Sequence, residues 1–232
     1  SPHEHTMVND GERATITAAL GTFAKGKRKV PWGQILSNPQ IWLLSAMYFC
    51  YGYDIGVFLS WFPKYLKEVH HLNLTQMGIY ASLPLFAGLI GDISGGMISD
   101  HLLKRTGKLK FSRRIVSFIG FALSSVAVTM AAHSADPMIS IAWFCLAVFG
   151  LELTVGVSWA VTLDVGGEFA GSVSAVMNTL GNIGAALAIW VTARVLWGTA
   201  FDIIAALALA AAVLCLTVDA SRRLYKLEPA AE

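Results

Sequence analysis

The stretch SVSAVMNTLGNIGAALAIW, residues 172–190, contains no charged side chain but carries two amides, Asn178 and Asn182. A run of about 20 apolar residues is long enough to cross a bilayer as a helix, and this stretch has that length. The four-residue spacing places both amides on one helix face, one turn apart. Because an amide in hydrocarbon is costly without a partner, that face is predicted to lie against protein, water or a ligand.

The composition of the whole chain indicates a membrane protein with several spans. Its 232 residues are 55% hydrophobic and 14% charged, whereas soluble domains carry about 25% charged residues. The net charge of +2, without a patch of basic and aromatic residues, argues against a nucleic-acid partner. Each of the three cysteines falls inside an apolar run, so we expect small buried hydrophobes rather than disulfides or a metal site.

Six apolar runs are predicted to cross the membrane as helices. Two have distinct start signals, since Asn38 and Asp136 can cap a helix and each is followed by a proline, which is favoured at the first helical position. The fold class is therefore predicted to be an all-α integral membrane bundle of six transmembrane helices. The predicted spans are residues 41–62, 77–99, 115–132, 138–163, 173–195 and 199–218.

The distribution of basic residues predicts the orientation of these spans. Nearly all of the 17 Lys and Arg fall before the first span, between the second and third, or after the sixth. By the positive-inside rule, these segments face the cytoplasm. We expect residues 1–39 to form a cytoplasmic linker, residues 40–220 the membrane domain and residues 221–232 a cytoplasmic tail. The basic residues on the other side are Lys64, Lys67 and Arg194.

The amino-terminal segment is polar and lacks the basic and apolar regions of a signal peptide. We therefore expect it to continue from a longer polypeptide. Residues 25–36 would suit an amphipathic helix at the membrane surface, with Trp32, Ile35 and Leu36 turned inward. A basic, solvated linker is an equal alternative for this segment.

Two carboxyl groups are predicted at membrane depth, Asp54 in the first span and Glu152 in the fourth. An ionisable residue inside a span is a functional hypothesis by default, because such residues form ion pathways and proton relays. We take both as candidates for proton coupling. The alternative is a hydrogen-bonded carboxyl group that only ties neighbouring helices together.

The fifth span combines its two amides with small residues. Gly181 and Gly184 would allow a neighbouring helix to approach closely. An interhelical hydrogen bond in a membrane contributes only about 0.6–2 kcal/mol, so helix packing explains the glycines better than the amides. We predict that Asn178 faces a water-filled cavity, whereas Asn182 has either that role or a role in helix pairing.

The second span ends in GDISGGMISDHLLKRTGK, residues 91–108. Gly91 and Gly95 form a GxxxG pair, which favours close helix approach. Asp100 lies at the membrane boundary, where it can pair with loop cations or cap a neighbouring helix. Contacts that form in one conformation and break in another would make this junction a gate. A loop held by solvated charges is the alternative.

Sequence patterns of enzymes are absent. The chain has no Walker A, GxSxG, HExxH or GxGxxG motif, so we expect no enzymatic activity and no cofactor. The histidine pairs at residues 3 and 5 and at residues 70 and 71 lack the further ligands that a metal site needs.

The loop after the second span resembles a motif of the major facilitator superfamily. Gly96, Asp100, Arg105 and Gly107 match the cytoplasmic-loop pattern of that superfamily and occupy the expected junction. The resemblance indicates the carboxy-terminal half, spans seven to twelve, of a twelve-span transporter. These four residues would then be the gating residues.

Three further stretches are similar to the anion:cation symporter family, which includes bacterial sugar-acid permeases. They are WFPKYL (61–66), SWAVTLD (158–164) and GSVSAVMNTLGN (171–182). The resemblance implies proton-coupled import of an organic anion, such as a hexonate, glucarate or hexuronate, by alternating access in a bacterial inner membrane. The proton is the coupling ion, and the partners are the amino-terminal six-helix half and the lipid bilayer.

The same resemblance assigns candidate substrate contacts. Asn178 would hydrogen-bond substrate hydroxyl groups from the fifth span. The other residues implied to line this cavity are Ser158, Trp159, Thr162, Tyr48, Tyr51 and Asn182.

The chain departs from the family pattern at three positions. Ala185 and Ile189 replace a usual glycine and proline, which removes the reason for a kink in the fifth span, and His101 replaces the usual arginine after Asp100. Two rival functions stay open at this point. One is a carrier for another substrate class, such as an aromatic acid or another carboxylate. The other is a six-span channel or scaffold that acts alone.

Overall fold

The chain divides into two compact units, Ser1–Pro31 and Trp32–Glu232, and the membrane helices belong to the second. The residues that the computed structural model describes are 9–12, 14–15, 29–222 and 224. Several sequence predictions concern residues outside this described part. They are the predictions for His3 and His5, for the basic start of the predicted surface segment at residues 25–28, and for most of the predicted tail.

The second unit consists of helices joined by short connections, and its described residues include no strand. This confirms the predicted all-α class. The elements in chain order are α1 (Trp32–Ser37), α2 (Pro39–Glu68), α3 (Leu74–Thr106), α4 (Leu109–Ala132), α5 (Pro137–Glu152), α6 (Val155–Gly166), a 3₁₀ turn (Gly167–Phe169), α7 (Ala170–Thr192) and α8 (Trp197–Cys215).

Each of the six predicted apolar runs coincides with a helical segment. The helices α2, α3, α4 and α8 are long and apolar enough to cross a bilayer, and so is the continuous stretch Pro137–Thr192. That stretch has 56 residues, or about 84 Å at 1.5 Å per residue, whereas a hydrocarbon core is roughly 30 Å thick. It turns back at Gly167, where φ is 53° and glycine is favoured, so that α7 packs against α6. The stretch therefore provides two crossings.

The fourth predicted span, residues 138–163, is not one continuous helix. α5 ends at Glu152 and α6 begins at Val155. Between them, both the N–H and the hydroxyl group of Thr154 donate to the Leu151 carbonyl, a tighter pattern than that of an α-helix. The apolar composition is the same on both sides of the break, so hydropathy did not predict it.

Both predicted helix starts are confirmed. The Asn38 side chain accepts a hydrogen bond of 2.9 Å from a first-turn N–H, and Pro39 follows at the first helical position. The Asp136 carboxylate accepts two such bonds, of 2.8 and 3.0 Å, ahead of Pro137. These caps satisfy backbone groups that a helix amino terminus otherwise leaves unpaired.

Glycines let the helices touch through their backbones. In the parallel pair α2 and α7, Gly52 lies so close to Gly181 that a Cβ atom would collide with the Gly181 carbonyl group. Gly95 of α3 lies in the same way against the Leu153 carbonyl at the break between α5 and α6, and Gly120 brings α4 close to α5. Small residues at such contacts are the usual means of close helix packing in membranes.

The segment that follows α8 ties three helices together at one end of the bundle. Arg114 of α4 donates to the Val218 carbonyl at 2.7 Å, and Lys110 donates to the Asp219 carboxylate at 3.1 Å. The Asp219 N–H donates to the Gln40 side chain of α2. We call this the basic end of the bundle, where α2 and α4 begin and α8 ends.

Replacing Gly52 by Ala should destabilise the fold, because a Cβ atom does not fit against the Gly181 backbone. Overpacking a tight site costs about 1–3 kcal/mol, so we expect a lower melting temperature in detergent than for the unmodified protein. Gly78→Ala is the matched control, since nothing lies within 4 Å of a Cβ atom at that position. Equal melting temperatures for the two variants would contradict the packing.

Asp219 should stabilise the basic end except in strong acid. Hydrogen bonds from Ser221 and Lys110 lower the pKa of its carboxyl group from 3.8 to about 2. A carboxyl group with a lowered pKa stabilises the folded state above its unfolded pKa, and this contribution is lost as the pH falls through the folded value. Denaturant unfolding in detergent should therefore show Asp219→Asn less stable than the unmodified protein above about pH 4, with the difference vanishing towards about pH 2. A pH-independent difference would contradict this role.

Candidate functional site

Three aromatic side chains from two helices meet beside α7. The Tyr48 and Tyr51 rings of α2 stack with their centroids 4.9 Å apart, and the Trp159 indole of α6 lies near the Tyr48 hydroxyl. A Cβ atom on Gly181 would lie 2.7 Å from the Tyr48 ring, so α7 needs a glycine there to admit the ring. We call Tyr48, Tyr51 and Trp159 the aromatic wall. The structure thus brings together three of the predicted substrate contacts.

A carboxyl group adjoins the aromatic wall. The Tyr51 hydroxyl donates to Glu152 Oε1 at 3.1 Å, so one of the two predicted proton-coupling candidates lies at the edge of the wall. Glu152 is half-buried and opens onto a cleft of about 190 Å³ between α3 and α5. The residues lining this cleft are Leu85, Gly88, Leu89, Asp92, Val148 and Glu152.

Asp92 was not predicted as a functional residue. It lies in the second predicted span and shares the cleft with Glu152. On α3 it follows Gly88 by about one turn, so the two lie on one helix face. A carboxylate inside an apolar run was the available sequence signal.

The other predicted proton-coupling candidate, Asp54, has a different environment. Its side chain is completely buried, and neither carboxyl oxygen has a hydrogen-bond partner among the described residues. Asp54 does not line the cleft at Glu152. An ionised carboxylate without a partner is costly to bury, so the two carboxyl groups differ in solvation although both lie in apolar runs.

The two amides of α7 are exposed on the surface of the bundle. The Asn182 amide donates to the Asn178 backbone carbonyl at 2.8 Å, which occupies one of its two donor hydrogens. The Asn178 side chain has no hydrogen-bond partner within the described part of the chain. Asn178 is therefore the amide with its full hydrogen-bonding capacity available to a ligand.

Two other predicted substrate contacts are inside the bundle. Ser158 and Thr162 are both 0% exposed. The Ser158 hydroxyl donates to the Thr154 carbonyl at 2.8 Å, and the Thr162 hydroxyl to the Trp159 carbonyl at 2.7 Å. In this conformation both hydroxyl groups bond to their own helix, while the Trp159 side chain between them is 41% exposed.

At the basic end, one buried arginine joins three helices. Arg113 of α4 donates to the Asp100 carboxylate of α3 at 2.7 Å and to the Asp164 carboxylate of α6 at 3.0 Å. A further hydrogen bond of 2.9 Å reaches the Ser99 hydroxyl. The Arg113 side chain is 9% exposed, whereas Asp100 is 60% exposed. We call Asp100, Arg113 and Asp164 the arginine triad.

The predicted gating residues have separate surroundings. Arg105 is exposed, and the described ion pairs of Asp100 do not include it. Gly107 ends α3 with a φ of 65°, so its conformation explains the glycine. Gly96 adjoins Gly156 of α6, with 3.4 Å between its backbone and a Cβ atom built on Gly156. Asp100 pairs with a cation from the segment between the second and third predicted spans, as expected, but that cation is Arg113 of α4.

Comparison with known proteins gives relatives that carry the names of anion transporters. The chain is 37% identical over 180 residues to the probable sulfoacetate transporter of Cupriavidus necator, covering 77% of this chain and 41% of the relative. It is 32% identical over 194 residues to the probable galactarate/D-glucarate transporter of Escherichia coli (78% and 43%). It is 30% identical over 190 residues to the hexuronate transporter of Bacillus subtilis (78% and 45%).

The chain therefore spans less than half the length of these relatives. A family model described as the Major Facilitator Superfamily matches residues 2–189, which is most of the chain. The match agrees with the helical membrane bundle and with the resemblance of the loop after the second span. The chain belongs to the Major Facilitator Superfamily, a family of multi-pass membrane transporters rather than enzymes.

Proposed function

We propose that this chain is the carboxy-terminal half of a secondary transporter that imports an organic anion by proton symport with alternating access. Six crossings in less than half the length of its relatives support a partner half of similar size on the amino-terminal side. The relatives' names support an anionic substrate. The basic end would face the cytoplasm of a bacterial cell, because seven of the ten described Lys and Arg of the second unit lie there.

The observation that carries this proposal is the aromatic wall packed against α7, the helix that also carries the unpaired Asn178 amide. Trp159 is 41% exposed and Tyr51 is partly exposed, so both offer ring surface to a ligand, whereas Tyr48 is buried. Asn178 offers an amide with both donors and its acceptor available. Such groups bind hydroxyl and carbonyl functions. Because the cleft at the wall is lined by no basic residue, the cation that pairs with the anion would come from the other half.

A hydroxylated sugar acid fits this wall best. Each substrate hydroxyl can both donate to and accept from an amide, and stacking of a sugar face on aromatic rings buries apolar area. A short sulfonated carboxylate is the second candidate, favoured by the 37% identity to a probable sulfoacetate transporter. The two candidate substrates differ in their number of hydroxyl groups. Loss of the Asn178 amide should therefore reduce the uptake of a sugar acid more than that of a short sulfonated carboxylate.

The arginine triad is the proposed gate. It joins α3, α4 and α6 at the basic end, and α3 and α6 flank the cleft and the aromatic wall. Opening the bundle at this end would separate Asp100 and Asp164 from Arg113. Because Asp100 is largely exposed, its charge can be solvated when the pair breaks.

Uptake into proteoliposomes that contain the complete transporter tests the function. Under an inward proton gradient, we expect accumulation of glucarate or a hexuronate but not of a neutral sugar, with sulfoacetate as the second anion. Asn178→Ala should reduce sugar-acid uptake about tenfold, as expected for loss of about 1.4 kcal/mol of hydrogen bonding. Thr179→Ala, one position away and bonded only within its helix, is the matched control.

Two results would contradict this proposal. Uptake that ignores the proton gradient would exclude symport. Full sugar-acid uptake by Asn178→Ala would exclude the amide from the binding site. Accumulation of sulfoacetate alone would select the second candidate.

Arg113→Ala should impair both stability and transport. The substitution leaves the carboxylates of Asp100 and Asp164 without their common partner, a loss of about 2 kcal/mol for hydrogen bonds to charged groups. We expect a lower melting temperature and about a thirtyfold loss of gradient-driven uptake. Arg113→Lys should retain only part of the stability and of the transport activity, because an ammonium group cannot bond two carboxylates in the fork geometry of arginine.

Arg105→Ala is the control for this prediction, since Arg105 belongs to the predicted gating motif but is exposed and lies outside the triad. It should leave both the melting temperature and the uptake close to those of the unmodified transporter. The gate assignment would be wrong if Arg105→Ala impaired transport more than Arg113→Ala.

A further inference from the structure

We infer that Glu152 carries the coupled proton and that Tyr51 links its protonation to substrate binding. The inference rests on the proposed function and deepens it, because it selects one of two carboxyl groups and adds a second, Asp92, with a different role. Three observations support it: the cleft at Glu152, the hydrogen bond between Tyr51 and Glu152, and the charged groups around these two residues.

The first step is access. A proton carrier in a transporter must exchange protons with water and also respond to substrate. Glu152 opens onto the cleft between α3 and α5 and lies at the end of α5, where the fourth crossing is broken. Broken helices at membrane depth are typical of substrate and ion sites in secondary transporters. Asp54 is completely buried away from this cleft.

The second step is the link to the substrate. Tyr51 donates its hydroxyl hydrogen to Glu152 Oε1 at 3.1 Å, and its ring stacks on Tyr48. A tyrosine has only one hydroxyl hydrogen to donate. While Glu152 is ionised it accepts that hydrogen, and once Glu152 is protonated the Tyr51 hydroxyl can turn to an anionic substrate at the aromatic wall.

The third step is charge. The titratable groups that face Glu152 are Tyr51 and Tyr48 from α2 and Asp92 from α3, and none of the described residues lining the cleft is basic. An anion that enters beside the carboxylates of Glu152 and Asp92 is repelled by both. A proton on Glu152 removes one of these charges. Proton and anion therefore favour each other's binding, and this reciprocal coupling is what symport requires.

The coupled cycle balances without another reactant. A proton from the outer solution binds a Glu152 carboxylate oxygen, the substrate anion binds at the aromatic wall, and both leave on the cytoplasmic side after the gate opens. Asp92 shares the cleft with Glu152 and keeps the empty site unfavourable for an anion that arrives without a proton. Its role is to enforce coupling rather than to carry the proton.

Two transport assays on the complete transporter in proteoliposomes test this inference. Counterflow exchange of a sugar acid at equal pH on both sides needs substrate binding but no net proton movement. Accumulation driven by a proton gradient needs both. Glu152→Gln, which mimics the protonated acid, is expected to keep counterflow and to lose accumulation and the pH dependence of binding. Asp202→Asn, at an exposed acid in α8, is the matched control.

Two further variants separate the roles of the neighbouring groups. Asp92→Asn should bind the anion more tightly and accumulate less substrate per unit gradient, because anions then enter without a proton. Tyr51→Phe should weaken substrate binding and shift its pH dependence, since Glu152 loses its donor. Proton uptake on substrate addition in detergent, followed with an indicator dye, should be about one per transporter and absent in Glu152→Gln.

The outcomes distinguish this inference from the proposed function. Absence of counterflow by the unmodified transporter with every anion tested would overturn the proposed function. Normal accumulation and proton uptake by Glu152→Gln would overturn the inference alone, as would loss of accumulation in Asp54→Asn but not in Glu152→Gln. If Glu152→Gln fails to fold, Glu152→Asp keeps the carboxyl group and must retain accumulation with a shifted pH optimum. An unshifted optimum in that variant would also overturn the inference.

Discussion

The contact between Gly52 and Gly181 determines the arrangement of the whole candidate site. Two backbones can meet this closely only where neither residue has a side chain. The contact sets the rotation of α2 against α7, and Gly181 also accommodates the Tyr48 ring. With α2 held in this rotation, Tyr48 stacks on Tyr51 and Tyr51 reaches Glu152. A packing constraint that involves no polar side chain thus positions the polar ones.

Inside the membrane, the carboxyl groups of Glu152 and Asp54 differ in their solvation. Both are carboxyl groups in apolar helices, but one borders a cleft and accepts a tyrosine hydrogen, whereas the other is sealed and has no partner among the described residues. A group that exchanges protons needs a route to water as well as a low-polarity setting. Glu152 lies immediately before the break in the fourth crossing, and Gly88 of α3 leaves room for its side chain.

At the basic end, some charged side chains are buried and others are exposed to solvent. Arg113 is buried and bridges Asp100 and Asp164, while Arg105 and its neighbours in the loop are exposed. Asp219 fastens the segment after α8 to Lys110 and Gln40. Hence the contacts at this end form two layers: the triad between α3, α4 and α6, and the fastening of α2, α4 and α8. Movement of the triad need not disturb the second layer.

The sequence by itself determined the crossings, the helix starts at Asn38 and Asp136, and the superfamily, because hydropathy, capping and motif spacing are properties of neighbouring residues in the chain. It also singled out Tyr48, Tyr51, Trp159 and Glu152, which the structure brings together. Only the tertiary structure decided that Arg113 rather than Arg105 pairs with Asp100, that Asp92 joins Glu152, and that the Ser158 and Thr162 hydroxyls bond to their own helix. These outcomes depend on how each helix is rotated about its axis against its neighbours, and that rotation is fixed by packing between residues distant in sequence.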